Sequence, residues 1–194
     1  MLSISVAVEG SPDQAAVLKI AQYLGLDVAH CWVKRGKGNL DKSLAGYNNA
    51  ARFSPWMVLR DLDTDADCAP DLIRRLLPNP EPGLAFRVAV RQVESWFLGD
   101  AERLAQFLGV AWKQMPPAPE ALSDAKASIV QLAARSQKKD IRLDMVPFAG
   151  SQAKEGPACA SRMSEFARCA WRPEVAAERC DSLKRCLQRL KRLR

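Results

Sequence analysis

WMVLRDLDTDAD, residues 56–67, changes abruptly from an apolar run to a cluster of four aspartates. The apolar part, residues 56–59, follows a proline and is predicted to be a buried strand. A strand interior does not tolerate four carboxylates, so the acidic part is predicted to lie in a solvent-facing loop or edge at the carboxyl end of that strand. The aspartates are Asp61, Asp63, Asp65 and Asp67.

The segment ISVAVEGSPD, residues 4–13, has a similar design. Residues 4–8 are apolar and rich in branched side chains, which predicts a strand, and a helix is predicted to follow. Ser11 suits the N-cap of that helix and Pro12 its first position. Glu9 is therefore predicted at the carboxyl end of the first strand.

Strands are also predicted at 28–34 and 84–90, and helices at about 41–52, 70–77 and 93–108. The repeated alternation of strand and helix favours an α/β fold with a mostly parallel sheet flanked by helices. After the sequence PPAP, residues 116–119, the pattern is helical over 119–134, and two further helices are predicted beyond a loop at 146–157. This second half is predicted to form a helical cap.

We therefore expect an α/β core over residues 1–114, a helical cap over 115–178 and a basic amphipathic helix over 179–194. The last segment has seven basic residues and one acid, and thus +6 of the net charge of +7. Its apolar residues fall at helical spacing, which predicts that this stripe docks on the body of the protein. The stripe consists of Leu183, Cys186, Leu187, Leu190 and Leu193.

Several classes of protein are disfavoured by the composition. No apolar run reaches the roughly 18 residues of a membrane span, so we expect a cytoplasmic protein with no membrane partner. The six cysteines form no CxxC pair and only one histidine is present, which argues against a zinc site. Trp96, Trp112 and Trp171 are predicted to be core residues.

The carboxyl ends of parallel strands meet in one crevice, where Glu9, the aspartate cluster and Glu94 are predicted to converge. Two carboxylates about 4 Å apart repel by roughly 4 kcal/mol at an effective dielectric near 20, so such a cluster calls for protons or a cation. Oxygen ligands without histidine or cysteine favour Mg²⁺ or Mn²⁺. A site of this kind suits phosphoryl chemistry.

The motifs VAVEGSPD (6–13) and VLRDLDTD (58–65) together resemble the Toprim domain shared by type IA topoisomerases, bacterial primases and OLD-family nucleases. The resemblance implies that Glu9, Asp61 and Asp63 form the metal and acid–base site. Asp13 resembles a second acid in the first motif of OLD-type nucleases, and Asp65 extends the aspartate cluster as a further candidate ligand.

FRVAVRQVESWFLGD (86–100), with LSDAK (122–126) and GP (156–157), is similar to a small bacterial family of stand-alone Toprim-like proteins. This similarity covers nearly the whole chain. It implies that Glu94 is a further metal ligand, that Arg91 lines the same cleft, and that Lys126 contacts phosphate. From the residues alone, Glu94 is equally an acid that stabilises the first turn of a helix, and Lys126 a solvated charge.

The function that we predict is a magnesium-dependent nuclease or related phosphodiester-processing domain, with Glu9, Asp61, Asp63 and Lys126 as catalytic residues. Nucleic acid is the predicted partner, and Lys184, Arg185 and Arg189 are predicted to bind its phosphates. The resemblance to OLD nucleases also implies an effector of bacterial defence that works with an ATPase. Because the sequence has no GxxxxGK[ST] motif, that ATPase would be a separate chain.

Two alternatives remain open at this point. The first is a non-catalytic binding or regulatory module that keeps the Toprim fold. The second is a phosphatase of the haloacid-dehalogenase type, in which the first aspartate of DLDTD would be the nucleophile. That family normally carries its motif after the first strand, whereas here it follows the third.

Overall fold

Four parallel strands form a sheet in the order β2-β1-β3-β4. In this computed structural model, which describes residues 2–193, the strands are β1 (Ser3–Val8), β2 (Asp27–Val33), β3 (Trp56–Asp61) and β4 (Leu84–Ala89). Met1 and the predicted basic tail residue Arg194 lie outside the described residues. The predicted α/β architecture is confirmed, and its topology is consistent with a Rossmann-like or Toprim-like fold.

Helices cover both faces of the sheet. Those of the first half are α1 (Ser11–Leu24), α2 (Lys37–Ala50), α3 (Ala69–Leu76), α4 (Val93–Gly99) and α5 (Ala101–Leu108). Those of the second half are α6 (Ala125–Ala134), α7 (Lys139–Met145), α8 (Cys159–Cys169), α9 (Pro173–Ala176) and α10 (Asp181–Lys191), with 3-10 turns at Trp112–Gln114 and Pro119–Ala121. Among the helices described, none has the length and apolar character needed to cross a membrane.

Alternation along the strands sends side chains to two separate cores. In β3, Met57 and Leu59 pack with α1 and the second-half helices, whereas Val58 packs with α2 and α3 on the opposite face. Both faces are apolar because both are covered, as in other parallel sheets. Each fully buried aliphatic side chain contributes about 1.5–3 kcal/mol of burial free energy.

The second-half helices belong to the larger core. Helix α8 packs along α1, and α10 packs against the edge strand β4. In α10, Leu183, Cys186, Leu187 and Leu190 are buried. The apolar stripe of the basic tail is thus docked on the body, and its charged residues lie on the remaining faces.

Several predicted boundaries were wrong, each for a local reason. Strand β3 runs to Asp61 instead of Leu59, because Arg60 and Asp61 continue its pairing with β4. Helix α2 begins at Lys37, after Gly36 turns the chain with a φ of 115°. The helix predicted over 93–108 is broken at Asp100, whose carboxylate accepts a hydrogen bond from the backbone of Arg103 and caps α5.

Other predictions for the second half were also wrong. The helix predicted over 119–134 begins at Ala125, because Asp124 caps it there by accepting a hydrogen bond from the backbone of Ala127. Helix α7 was not predicted.

Trp96 and Trp171 are fully buried, as expected for core residues, but Trp112 is 64% exposed because it lies in a surface 3-10 turn.

Candidate active site

Asp61 connects the ends of the two central strands to helix α4. Its backbone N–H donates a hydrogen bond of 2.9 Å to Oε1 of Glu9, which directly follows β1. Its own Oδ1 accepts a hydrogen bond of 2.9 Å from the backbone N–H of Val93, the first residue of α4. Glu94 is the next residue of that helix and is 2% exposed. The topology therefore brings Glu9, Asp61 and Glu94 to one end of the sheet, as predicted.

Asp13 is the fourth carboxylate of this region and, like Glu94, is buried. It lies in the first turn of α1 and is 5% exposed. Its Oδ2 accepts a hydrogen bond of 3.0 Å from the backbone N–H of Gly10, which fixes the turn between β1 and α1. Its Oδ1 is buried and has no hydrogen-bond partner. An unpartnered buried oxygen of this kind costs free energy, and it is the natural place for a proton or a cation.

Glu9, Asp13, Asp61 and Glu94 form what we call the carboxylate cluster, and all four pKa values are raised. Burial, followed by repulsion from Glu94 and Glu9, raises the pKa of Asp13 to about 8. Burial, followed by repulsion from Asp13, raises the pKa of Asp61 well above its usual value. Burial is also the main cause for Glu9 and Glu94. Without a cation, the cluster therefore retains protons near neutral pH.

Lys126 lies at the border between this cluster and solvent. Its Nζ is 3.5 Å from Oε1 of Glu94 and 3.9 Å from Oε2 of Glu155, and its side chain is 40% exposed. The backbone N–H of Lys126 donates to the side chain of Gln92, which ties α6 to the start of α4. Burial disfavours the charge on Lys126, but attraction to Glu94 and Glu155 outweighs burial and raises its pKa. The amine therefore stays charged.

Arg60 is a buried cation that the sequence analysis missed. It is 3% exposed and follows the inward-facing Trp56 and Val58 at the spacing of one strand face. Its guanidinium pairs with Asp41 of α2 at 3.1 Å and with Asp65 at 2.6 Å. The signal in the sequence was an arginine at a core position of a buried strand. A buried arginine is stable only if it is paired with an acid. Its pairing here anchors the segment of residues 61–67, which we call the aspartate loop, to α2.

Lys37, the first residue of α2, was also missed. Its Nζ lies 3.0 Å from Asp63 and 2.9 Å from Asp65. Hydrogen bonds from Lys37 are the main cause of the lowered pKa of Asp65. Asp63 and Asp65 are therefore neutralised by cations of the protein. In the carboxylate cluster, Glu9 and Glu94 have longer contacts of 3.9 Å with Arg60 and 3.5 Å with Lys126. Asp67 is exposed, as predicted for the loop.

Arg91 holds the backbone of the aspartate loop. Its guanidinium donates a hydrogen bond of 2.9 Å to the carbonyl oxygen of Asp63, and the N–H of Asp63 donates one of the same length to the carbonyl of Arg91. Asp63 has a φ of 49°, in the left-handed region that aspartate enters more readily than most residues. These bonds stabilise that conformation and keep the loop beside the end of β4.

Of the three tail residues predicted to bind phosphates, Arg185 and Arg189 lie on one side of α10 and Lys184 does not. Arg185 is exposed and pairs with Asp181 at 2.6 Å. Arg189 is partly buried and donates to the carbonyl of Leu84 at 3.2 Å. Arg185 and Arg189 both line a groove between α3, β4 and α10. Lys184 is exposed and lies outside that groove.

No protein-family model and no curated protein matches the chain. Among solved structures, it is similar to the C-terminal region of the Burkholderia pseudomallei OLD protein. The two share 15% sequence identity, the alignment covers 97% of each chain, and the TM-score is 0.48. A likeness of this size assigns neither a family nor an activity to the chain.

The donor atoms of the carboxylate cluster suit a hard divalent cation. All are carboxylate oxygens, one of them lacks any partner, and burial followed by repulsion within the cluster raises the pKa values of Asp13 and Asp61. Within residues 2–193, no three histidine, cysteine or acidic side chains already surround a single point closely enough to form a finished metal site. Binding of a cation would therefore require side-chain rotation within the cluster.

Proposed function

We propose that the chain is a Mg²⁺- or Mn²⁺-dependent phosphodiester hydrolase that cleaves nucleic acid. The observation that carries the proposal is the carboxylate cluster, in which two buried and two partly buried acids from separate elements have raised pKa values and one oxygen lacks a partner. The resemblance of VAVEGSPD and VLRDLDTD to Toprim motifs supports the same reading.

Within this proposal, Glu9, Asp13, Asp61 and Glu94 would hold the cation, which when bound would offset charge on the scissile phosphate and lower the pKa of an attacking water. Asp63 and Asp65 were predicted ligands, but their pairing with Lys37 and Arg60 suits a supporting role. Asp63 and Asp65 would then fix the position of the loop beside Asp61.

Hydrolysis forms a bond from the water oxygen to phosphorus and breaks the bond from phosphorus to the leaving oxygen. The proton released by water is accepted by a carboxylate of the cluster and returns to the leaving oxygen. Lys126 lies beside Glu94 with a partly exposed amine, which suits it to offset phosphate charge in the transition state. Because its pKa is raised, it acts as a fixed charge and not as a proton donor.

One observation favours a second function, a non-catalytic binding module. The acidic residues do not form a finished metal site among residues 2–193, and two of the six predicted metal ligands, Asp63 and Asp65, are already paired with basic side chains. A partner molecule could bind this acidic surface without being hydrolysed. The separate ATPase and the role in bacterial defence remain predictions from the resemblance.

A cleavage assay separates the two functions. Plasmid DNA, linear DNA, single-stranded DNA and RNA are incubated with wild type, Glu9→Gln and Asp61→Asn in Mg²⁺, Mn²⁺ or EDTA. The matched control is Glu174→Gln, which removes an exposed acid of α9 outside the site. We expect metal-dependent products from wild type and the control only. Products that persist in both site variants, or the absence of products from wild type on every substrate, would contradict the hydrolase.

A further inference from the structure

Five arginines line a groove beside the loop that contains Leu62 and Asp67. The groove has a volume of about 740 Å³ and lies between α3, the edge strand β4 and α10. The arginines are Arg74, Arg87, Arg185, Arg189 and Arg192. Its volume is within the range of about 300–1,000 Å³ that is typical of ligand sites and is far larger than a single inorganic anion requires.

Arg87 is the central residue of this groove. It lies in β4 between Ala85 and Ala89, which face the core that α10 covers. Its Nε is buried and has no hydrogen-bond partner. A guanidinium held beneath a helix with an unpartnered N–H costs free energy, and an anion that accepts this hydrogen bond would recover it.

The positive charge of the groove is only partly balanced. Arg74 pairs with Asp71, and Arg185 pairs with Asp181. Within residues 2–193, Arg87, Arg189 and Arg192 have no ion pair with a carboxylate. Burial, followed by repulsion from Arg87 and Arg192, lowers the pKa of Arg189, which is the signature of cations that lack a counter-charge.

Acidic side chains are present at the groove but do not cancel this excess. Glu120 accepts hydrogen bonds from the backbone N–H and the hydroxyl of Ser182. These bonds hold its carboxylate at the start of α10. Asp67 lies in the exposed part of the aspartate loop. Neither forms an ion pair with the three unbalanced arginines.

The shape of the groove indicates an elongated ligand. Arg185, Arg189 and Arg192 follow one side of α10 and its C-cap over about 10 Å, at about 1.5 Å per residue. Neighbouring phosphates of one strand lie about 3.4 Å apart along a duplex axis and farther apart in an extended single strand, so this length faces about two or three phosphates. Pro70 and Ile73 supply apolar surface beside the arginines, against which the bases of an unpaired strand can pack.

One end of the groove lies beside the two segments that flank the candidate active site. Leu62, between Asp61 and Asp63, and Val90, next to Arg91, both line the groove. We propose that this groove binds the phosphodiester backbone of a single nucleic acid strand and directs it to the carboxylate cluster. The claim that the strand is led to the carboxylate cluster rests on the proposed hydrolase function. The claim that the groove binds the strand does not.

The test is binding of a fluorescein-labelled dT12 oligonucleotide in EDTA, where no metal-dependent cleavage occurs. We expect Arg87→Met and Arg192→Gln each to weaken binding about tenfold, as expected for loss of a charged hydrogen bond. Each should also lower the slope of log affinity against log salt by about 0.7. The controls Arg135→Gln and Arg168→Gln, at exposed positions outside the groove, should bind as wild type does.

Thermal unfolding separates a binding role from a structural one. Arg87→Met replaces a buried unpartnered N–H by an apolar side chain, so we expect it to fold with at least the stability of wild type. Three results would each overturn the proposal. The groove and control variants could weaken binding equally, the wild-type protein could bind AMP in preference to dT12, or it could fail to bind dT12. Because the assay contains EDTA, failure of the groove and failure of the hydrolase are distinguishable.

Discussion

The backbone N–H of Asp61 donates a hydrogen bond of 2.9 Å to the carboxylate of Glu9, across the ends of the neighbouring strands β3 and β1. This bond uses one oxygen of Glu9, while the Asp61 carboxylate binds the start of α4. Two acids that repel each other are thus held together by backbone groups. The arrangement keeps the two strand ends and the start of α4 together without a bound cation.

The stability of the metal-free protein should fall as pH rises. An acid whose pKa is higher in the folded state than in the unfolded state stabilises the fold below its unfolded pKa and loses that contribution as pH rises through its folded pKa. For Asp13 the window extends from about pH 4 to about 8. The slope for one such group is at most about 1.4 kcal/mol per pH unit. Urea unfolding in EDTA at pH 5 to 8 measures it.

The matched variants for this pH dependence are Asp13→Asn and Glu174→Gln. Asp13→Asn should flatten the profile and be more stable than wild type at pH 8, because it removes one member of the repelling cluster. Glu174→Gln should retain the wild-type slope. A wild-type stability that increases from pH 5 to 8 would contradict the raised pKa values.

Removal of Arg60 should destabilise the fold strongly. Arg60→Met leaves Asp41 and Asp65 without their buried cation, and loss of one partner of a buried ion pair typically costs about 3–5 kcal/mol. Arg52→Met breaks the exposed pair with Glu81 and should cost less than about 1 kcal/mol. Denaturant unfolding at pH 7 compares them, and equal losses would show that Arg60 does not organise the aspartate loop.

Lys126→Gln should impair cleavage more than folding. It removes the charge that faces Glu94, so we expect the pKa of Glu94 to rise further and the pH–rate profile to move to higher pH. Loss of a preorganised charge at a transition state typically lowers kcat about a hundredfold. Lys139→Gln, at an exposed position of α7, is the control. Identical profiles for the two variants would exclude Lys126 from the reaction.

Gly36 should be required for the position of Lys37. Its φ of 115° is disfavoured for residues with a side chain, so Gly36→Val should destabilise the protein by about 1–3 kcal/mol. Gly38 lies within α2, and a Cβ there meets open space. Gly38→Ala should therefore stabilise the helix by about 0.5–1 kcal/mol. Urea titration measures both, and an equally tolerated Gly36→Val would contradict the strained turn.

The sequence predicts the elements whose signal is local. Two branched apolar runs, one ending at Glu9 and the other at the aspartate cluster, predicted the positions of β1 and β3. The predicted parallel topology placed the ends of these strands together. Pairing between distant residues was not predictable in the same way. Arg60 is an ordinary basic residue in the sequence, and its role appears only when α2 places Asp41 over β3.

The same distinction applies to the aspartate loop. Four similar aspartates in one segment have no local feature that separates a buried acid from a paired one. Asp61 is covered by α1 and α4, whereas Asp65 meets Lys37 and Arg60. Their opposite pKa shifts therefore result from tertiary packing, which the spacing of the residues does not encode.

Calorimetric titration with Mg²⁺ and Mn²⁺ tests the central claim, that the carboxylate cluster is a divalent-cation site. Titrations at pH 6 and 8, in two buffers with different ionisation heats, measure both affinity and the protons released. We predict tighter binding at pH 8, proton release on binding, and loss of binding in Glu9→Gln and Asp61→Asn but not in Glu174→Gln. Absence of binding by wild type, or unchanged affinity in both site variants, would contradict the account.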